Sequence, residues 1–301
     1  MAASRRVSQV QGHLTSPATP DNRLFATQSA SGDGGGPSIG YETRELRGGQ
    51  RVATITVSNP SKLNIVNSQL LEQMVEVCNE LAKVPHLRAV ILTGGRTAPG
   101  KPPTFIGGAD IKEMHSLETT SAARDFITRI HVACKALRDL PVPVIARVDG
   151  LSLGAGLEIM TACDLRLATR SSSFAMPEVK VGIPSVIEAA LLPGLIGMGR
   201  TRRLLYLAEH IDAAEAEGWG LVDKVVNDTA ELDLTVNNWV ETIAEMGPKA
   251  IASQKKLMQK WENATVDEGI QAGVDAFGEA YANGAQEPKE YMGRFVNRKR
   301  Q

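Results

Sequence analysis

Apolar and polar residues follow two different periods along the chain, and this predicts strands that alternate with helices. Residues 51–57 alternate as in a half-buried strand, whereas 88–93 and 144–148 are short continuous apolar runs, typical of buried strands. Residues 67–83 and 121–140 carry apolar side chains at helical spacing. Such alternation predicts an α/β core.

The second half of the chain changes to helical periods. Helices are predicted over 187–196 and 202–209, a short one over 213–217 with Asp212 as its N-cap, and then a strand over 221–226. Three longer helical patterns follow at 232–246, 248–263 and 266–281. The apolar side chains of these helices must be buried against something, and a terminal extension of a single chain does not bury all of them. We therefore predict a core over 38–230 and a helical oligomerisation region over 231–301.

One stretch of the core carries candidate chemistry. The strand 144–148 leads through Gly154-Ala155-Gly156 into a helix predicted over 157–164, and the bend leaves backbone N–H groups free at the positive end of that helix. Glu158 lies in the first turn, and Glu178 follows the next strand and a polar turn. N–H donors beside two carboxylates are suited to acid–base chemistry next to a carbonyl. A tight turn and a solvated glutamate are the structural alternatives.

An earlier part of the chain repeats this arrangement. The strand 88–93, a glycine-bearing loop over 96–108 and a helical run over 109–114 correspond to the strand, loop and helix around Gly154. Two such junctions on neighbouring strands would aim two N–H groups at one point. A two-donor oxyanion hole requires that geometry.

The first 37 residues differ from the rest. They are rich in Arg and Ser, contain Asp21 and Asp33 as their acids, and end in a flexible run over 29–37. A disordered leader of this composition is typical of a mitochondrial transit peptide, and an unstructured tail is the alternative. Mitochondrial localisation is expected, with a cytoplasmic or peroxisomal location as the alternative; the final residues, 298–301, do not form an S-K-L signal.

Composition narrows the functional classes. The chain has 301 residues, 43% hydrophobic and 22% charged, with a net charge of -1. This balance gives no support to nucleic-acid binding, and no apolar run is long enough to predict a membrane span. Cys78, Cys134 and Cys163 lack metal-ligand spacing and are predicted to be buried, reduced thiols. No metal, nicotinamide or flavin motif is found.

Four segments together resemble the enoyl-CoA hydratase/isomerase (crotonase) superfamily over residues 41–300. They are FIGGADIKEM (105–114), DGLSLGAGLEIMTACDLRLA (149–168), FAMPEVKVGI (174–183) and IDAAEAEGWGLVDKVV (211–226). The resemblance implies a spiral of ββα units with an all-helical C-terminal region that builds homotrimers or homohexamers. It also implies an acyl-CoA substrate and no separate cofactor, since CoA is part of the substrate.

The resemblance also implies particular site residues. The family's oxyanion hole corresponds to the backbone N–H groups of Ala109 and Ala155, and its two hydratase glutamates correspond to Glu158 and Glu178. The acyl-CoA site of relatives corresponds to Gly108, Ala109, Asp110, Ile111, Lys112 and Ala155.

Two departures from the family pattern bear on specificity. Relatives often have three glycines where this chain has Ala155 between Gly154 and Gly156. They also usually carry a double glycine shortly after Pro184, where this chain has a bulkier loop containing an extra acid, Glu188. Acyl specificity is therefore left open.

Three functions are compatible with the sequence. A hydratase is favoured because both glutamates are present, and the Glu158 position is the one that holds and deprotonates water. A Δ3,Δ2-enoyl-CoA isomerase, which can use one carboxylate at the Glu178 position, is the alternative. A non-catalytic or RNA-binding relative would instead use basic residues, for which the candidates are Arg200, Arg202, Arg203, Lys255 and Lys256.

Overall fold

The computed structural model describes residues 24–28 and 36–297. The strands, in chain order, are β1 Leu24–Gln28, β2 Ser38–Glu45, β3 Arg51–Ser58, β4 Leu87–Gly94, β5 Thr104–Ile106, β6 Val144–Val148, β7 Leu151–Leu153, β8 Leu165–Thr169, β9 Ser173–Ala175, β10 Ile211–Asp212 and β11 Lys224–Val226. The helices are α1 Ser68–Leu81, α2 Ile111–His115, α3 Thr120–Asp139, α4 Ala155–Thr161, α5 Leu192–Leu207, α6 Ala213–Trp219, α7 Thr229–Glu245, α8 Pro248–Trp261, α9 Val266–Ala280 and α10 Gln286–Val296.

Within this described part, the strands form two sheets. The larger has the order β1-β2-β3-β4-β6-β8-β11 and is parallel from β3 onwards; the smaller has the order β10-β9-β7-β5. The strands β4, β6 and β8 of the large sheet are each followed directly by β5, β7 and β9 of the small sheet. This repeat is the ββα spiral that the resemblance implied, and the predicted α/β class is confirmed.

The large sheet is covered on both faces, which explains the continuous apolar runs of its central strands. On one face, Val90 and Leu92 of β4 lie in a core shared with the apolar faces of α1 and α3. On the other face, Ala89 and Ile91 pack in a second cluster with α7. Alternate residues of one strand therefore serve two separate cores.

A buried cation fastens the C-terminal helices to the core. Lys255 of α8 is 4% exposed, and its Nζ lies 2.8 Å from Asp164 Oδ2. It also donates to the carbonyls of Leu137 and Val142, at 3.3 and 3.0 Å. Asp164 in turn accepts from the backbone N–H of Val144, the first residue of β6, at 2.7 Å.

The small sheet is the main difference from the elements predicted from the pattern. The pattern places residues 104–106 in a loop and predicts no element for 151–153, but these residues form β5 and β7. A strand of three residues is too short to show a period of two. The strand β2 and the helix α10 were also not predicted, and α4 begins at Ala155 instead of residue 157.

The two helices predicted at 187–196 and 202–209 do not have the predicted bounds. Ile187–Leu191 forms a 3₁₀ turn, and α5 runs on to Leu207 with a break at Gly197, whose φ is +77°. The strand predicted over 221–226 is confined to β11, and the three long C-terminal helices lie close to their predicted positions.

Part of the expected leader is structured. Leu24–Gln28 pairs antiparallel with β2, because an edge strand offers unpaired backbone groups to any nearby extended segment. Residues 1–23 and 29–35 of the leader lie outside the described residues. The boundaries at 37/38 and 230/231 stay predictions.

All three cysteines are buried and unpaired, as predicted. Burial raises the pKa of both Cys78 and Cys163 to about 12. In the part of the chain that the structure describes, no helix has both the length and the apolar character that crossing a membrane requires.

The Lys255 contact predicts an unequal response of two neighbouring lysines. Lys255→Met leaves Asp164 and two carbonyls without their cation, so we expect a loss of about 3 kcal/mol in unfolding free energy. Lys256→Met is the matched control, because Lys256 is exposed. Urea unfolding measures both variants, and equal stabilities would contradict the anchoring role of Lys255.

Candidate active site

Parallel pairing of β5 with β7 brings two backbone donors side by side. Ile106 pairs with Ser152, and Ala109 and Ala155 each lie three residues beyond a member of that pair. Ala109 also forms a parallel bridge with Val66. The Val66 N–H donates to the carbonyl of Gly108, and the Val66 carbonyl accepts from the N–H of Asp110, so both hydrogen bonds go to the neighbours of Ala109. This pattern turns the Ala109 N–H away from Val66.

The second donor begins helix α4. Ala155 is the first residue of that helix, so its N–H has no partner within the helix. No hydrogen bond from the N–H of Ala109 or Ala155 is found among the described residues. Each N–H group is therefore left free to bind a ligand atom.

A close approach fixes the helix start against the small sheet. A Cβ at Gly156 would overlap the carbonyl of Ile106, so only glycine allows this contact. The helix can therefore begin directly beside the end of β5. Gly156 is recognisable in the sequence as part of a turn, but its packing partner becomes evident only from the paired strands.

Glu158 is buried in the first turn of this helix. It is 4% exposed, and its Oε1 has no hydrogen-bond partner in the described structure. Burial, followed by the charge of Glu178, raises its pKa to about 8, although the backbone N–H groups of Ala189 and Val186 act in the opposite direction. At neutral pH the free site therefore holds a proton on Glu158.

Glu178 lies on the opposite side of the glycine turn. It begins the 3₁₀ turn Glu178–Val181 and is half-buried, and Ser185 Oγ donates to its Oε2 at 2.8 Å. A Cβ built on Gly154 would lie 2.6 Å from Glu178 Oε1. The second carboxylate is thus packed against the residue that precedes the Ala155 donor.

A third carboxylate enters the same region. Glu188 is 5% exposed, and its Oε1 lies 2.8 Å from Nδ1 of His131 on α3. Its charge also raises the pKa of Glu158. Glu188 stands out in the sequence as an extra acid, whereas His131 does not, because a single histidine on a helix carries no spacing signal.

The segment 108–112 contains the Ala109 donor and the start of helix α2. Asp110 is the N-cap of α2, accepts from the Lys112 N–H at 2.9 Å and pairs with Lys62 Nζ at 3.0 Å. Burial raises the pKa of Asp110, but the Lys62 and Lys112 hydrogen bonds outweigh it, and the net pKa is lowered. Ile111 next to it is 59% exposed, so it provides an apolar surface at the edge of the site.

Three of the five basic residues considered for RNA binding are engaged within the protein. Lys255 is buried against Asp164. Arg203 pairs with Glu209 and Glu215 and, with Arg200, lies over the ring of Trp219. These contacts weigh against the nucleic-acid alternative. Within residues 24–28 and 36–297, no cluster of three or more His, Cys, Asp or Glu residues is arranged to hold a metal.

Comparison with known proteins identifies the family. The family described as enoyl-CoA hydratase/isomerase matches residues 47–301. The chain belongs to this family. One member, the short-chain-enoyl-CoA hydratase of Clostridium acetobutylicum, is 34% identical over 251 residues, which cover 83% of this chain and 93% of the relative.

Two further family members are informative. The probable mitochondrial enoyl-CoA hydratase of Dictyostelium discoideum is 30% identical over 259 residues, covering 85% of this chain and 88% of the relative. The crystal structure of an enoyl-CoA hydratase from Bacillus anthracis superposes with a TM-score of 0.70 at 30% identity, covering 78% of this chain and 89% of that one.

The contact between Gly154 and Glu178 makes a substitution at Gly154 informative. Gly154 has φ +52° and ψ −124°, a conformation that side-chain-bearing residues rarely adopt, and a Cβ would push against Glu178 Oε1. We expect Gly154→Ala to displace that carboxylate and lower the kcat for enoyl-CoA hydration by about tenfold or more, since acid–base groups contribute about 10²–10⁴.

Gly194→Ala is the control, because a Cβ at Gly194 meets open space. Steady-state kinetics together with circular dichroism separate catalysis from folding. A folded Gly154→Ala protein with wild-type kcat would contradict the expected displacement.

Proposed function

We propose that this protein is an enoyl-CoA hydratase, a lyase that adds water across the 2,3-double bond of an enoyl-CoA thioester. The observation that carries the proposal is the placement of Glu158 and Glu178 around the glycine turn that also presents the Ala155 N–H. The names of the relatives above support the same activity.

The two free N–H groups would bind the thioester carbonyl oxygen. Negative charge grows on that oxygen as water attacks the β-carbon, and fixed donors stabilise it without reorganisation. Loss of one such donor typically costs about 10²–10³ in rate. The segment Gly108 to Lys112 would line the acyl-CoA site, with Ala155 next to the thioester.

The two glutamates would act as one unit that holds a single proton. One carboxylate takes a proton from the attacking water while the other, protonated, gives a proton to the α-carbon, so the pair ends with the proton number it began with. Interacting carboxylates titrate as a pair, and we assign Glu158 and Glu178 jointly. The reaction needs no separate cofactor, because CoA is part of the substrate.

Substitution of each glutamate distinguishes a hydratase from an isomerase. Glu158→Gln keeps size and hydrogen bonding but removes the ionisable group, so we expect hydration of crotonyl-CoA to fall at least about 10²-fold. Glu178→Gln should fall by a similar factor, while any isomerisation of a 3-enoyl-CoA should survive better in Glu158→Gln than in Glu178→Gln.

The matched control is Glu231→Gln, since Glu231 also lies in the first turn of a helix but is far along the chain on α7. Near wild-type hydration by folded Glu158→Gln would sink the hydratase assignment. A panel of enoyl-CoA substrates of different length and branching would then define acyl specificity.

We also propose that the protein is a homotrimer or a homohexamer. The helices α8, α9 and α10 line a groove of about 820 Å³, and large apolar side chains of α9 and α10 are exposed. They include Ile270, Val274, Phe277, Met292 and Phe295. A second copy of the chain would cover them. Light scattering at micromolar concentration should give a trimeric or hexameric mass, and a monomeric mass would contradict it.

We propose, finally, that residues 1–37 direct the protein to mitochondria. Their Arg- and Ser-rich composition supports this location, as does the mitochondrial assignment in the name of the Dictyostelium relative. A fusion of residues 1–37 to a fluorescent reporter should enter mitochondria, whereas a fusion of residues 38–74 should not. Reporter fluorescence that stays outside mitochondria would contradict the proposal.

A further inference from the structure

Glu188 is a buried acid that the reaction as written does not use. It lies on the 3₁₀ turn Ile187–Leu191 and is as buried as Glu158. One of its oxygens, Oε1, is held by His131 Nδ1 at 2.8 Å, and its other oxygen, Oε2, has no partner among the described residues. A buried charged group with one free oxygen calls for a physical reason.

The turn that carries Glu188 packs beside Glu158. The turn Ile187–Leu191 contacts both α3, which carries His131, and α4, which carries Glu158. The charge of Glu188 raises the pKa of Glu158. Glu188 therefore acts on the Glu158 carboxyl group through the packing of these elements.

The charges around Glu188 are unbalanced. The titratable groups that face it are His131 and Cys134 on α3, Glu158 on α4 and, next to Glu158, Glu178. The Cys134 thiol is neutral, because burial and then the charge of Glu188 raise its pKa well above the usual range. Among these groups, His131 contacts Glu188 alone, and its side chain is 50% exposed. The charges of Glu178 and Glu188 both raise the pKa of Glu158, so neighbouring carboxylates disfavour its ionised form.

We propose that Glu188 is a positioning residue for hydration: its carboxylate, oriented by His131, keeps the catalytic pair singly protonated without touching the substrate. This inference rests on the proposed function. It assigns to the bulky 185–190 loop a second task besides lining the acyl site.

Each partner has a distinct part in this arrangement. The negative charge of Glu188 disfavours the loss of the proton that Glu158 and Glu178 share. The contact with His131 Nδ1 at 2.8 Å holds one oxygen of Glu188 in place, so the Glu188 carboxylate keeps a fixed position relative to the pair. The pair therefore holds its proton to higher pH than two glutamates alone would.

The test is the pH dependence of kcat/KM for hydration of crotonyl-CoA, which reports on the free enzyme. In the wild-type enzyme we expect activity to fall as the pH rises through about 8, because the catalytic pair then loses its proton. In Glu188→Gln this alkaline limb should move down by about one pH unit. Activity near pH 6.5 should change little, because the pair is still protonated there.

Two variants of His131 make the test independent of Glu188 itself. His131→Leu removes the donor, so the alkaline limb should move in the same direction as in Glu188→Gln. His131→Asn places an amide donor close to the position of Nδ1 and should restore the limb towards its wild-type pH. Because the His131 side chain is half-exposed, neither change threatens the core.

The outcomes are separable from those of the proposed function. If the wild-type enzyme does not hydrate any enoyl-CoA, the proposed function fails before Glu188 is tested. If the wild-type enzyme is active, an alkaline limb that stays at its wild-type pH in both Glu188→Gln and His131→Leu overturns the inference. A uniform loss of activity at every pH in these variants would also overturn it, since that is the signature of a merely structural role.

Discussion

The close contact between helix α4 and the end of strand β5 is the constraint on which the rest of the site depends. Gly156 touches the carbonyl of Ile106, and no side chain fits between them. This contact sets the start of the helix, and the parallel register of β5 and β7 leaves Ala109 and Ala155 each three residues beyond one member of the same strand pair. The positions of these two backbone N–H groups therefore depend on sheet geometry and not on a flexible side chain.

The raised pKa of Glu158 follows from the packing of helix α4. The same short helix that presents the Ala155 N–H buries Glu158, and the loop that follows Glu178 folds back as a turn that encloses it. Water is excluded from Glu158 on most sides, so the cost of ionising it is high. The positive end of helix α4 favours negative charge near the Ala155 N–H, whereas burial disfavours negative charge on Glu158. These opposite effects act on groups one helical turn apart.

Much of the site was predictable, because its elements are close in sequence. Glu158 is three residues from Ala155, and the repeat of strand, glycine loop and helix pointed to both N–H donors. The small sheet was not predictable from periodicity, since β5, β7 and β9 have three residues each. The pairing of His131 with Glu188 was not either, because it joins residues 57 positions apart on a helix and a loop whose relative position depends on the whole fold.

The link from Lys255 through Asp164 to the first residue of β6 has a consequence for how the molecule opens. Helix α8 shares a buried charge network with the strand that leads into the site, so α8 and β6 belong to one cooperative unit. Among the contacts described, α9 and α10 have no such buried anchor to the sheet. The last two helices can therefore open at a lower free-energy cost than α8, while the scaffold of the site stays closed.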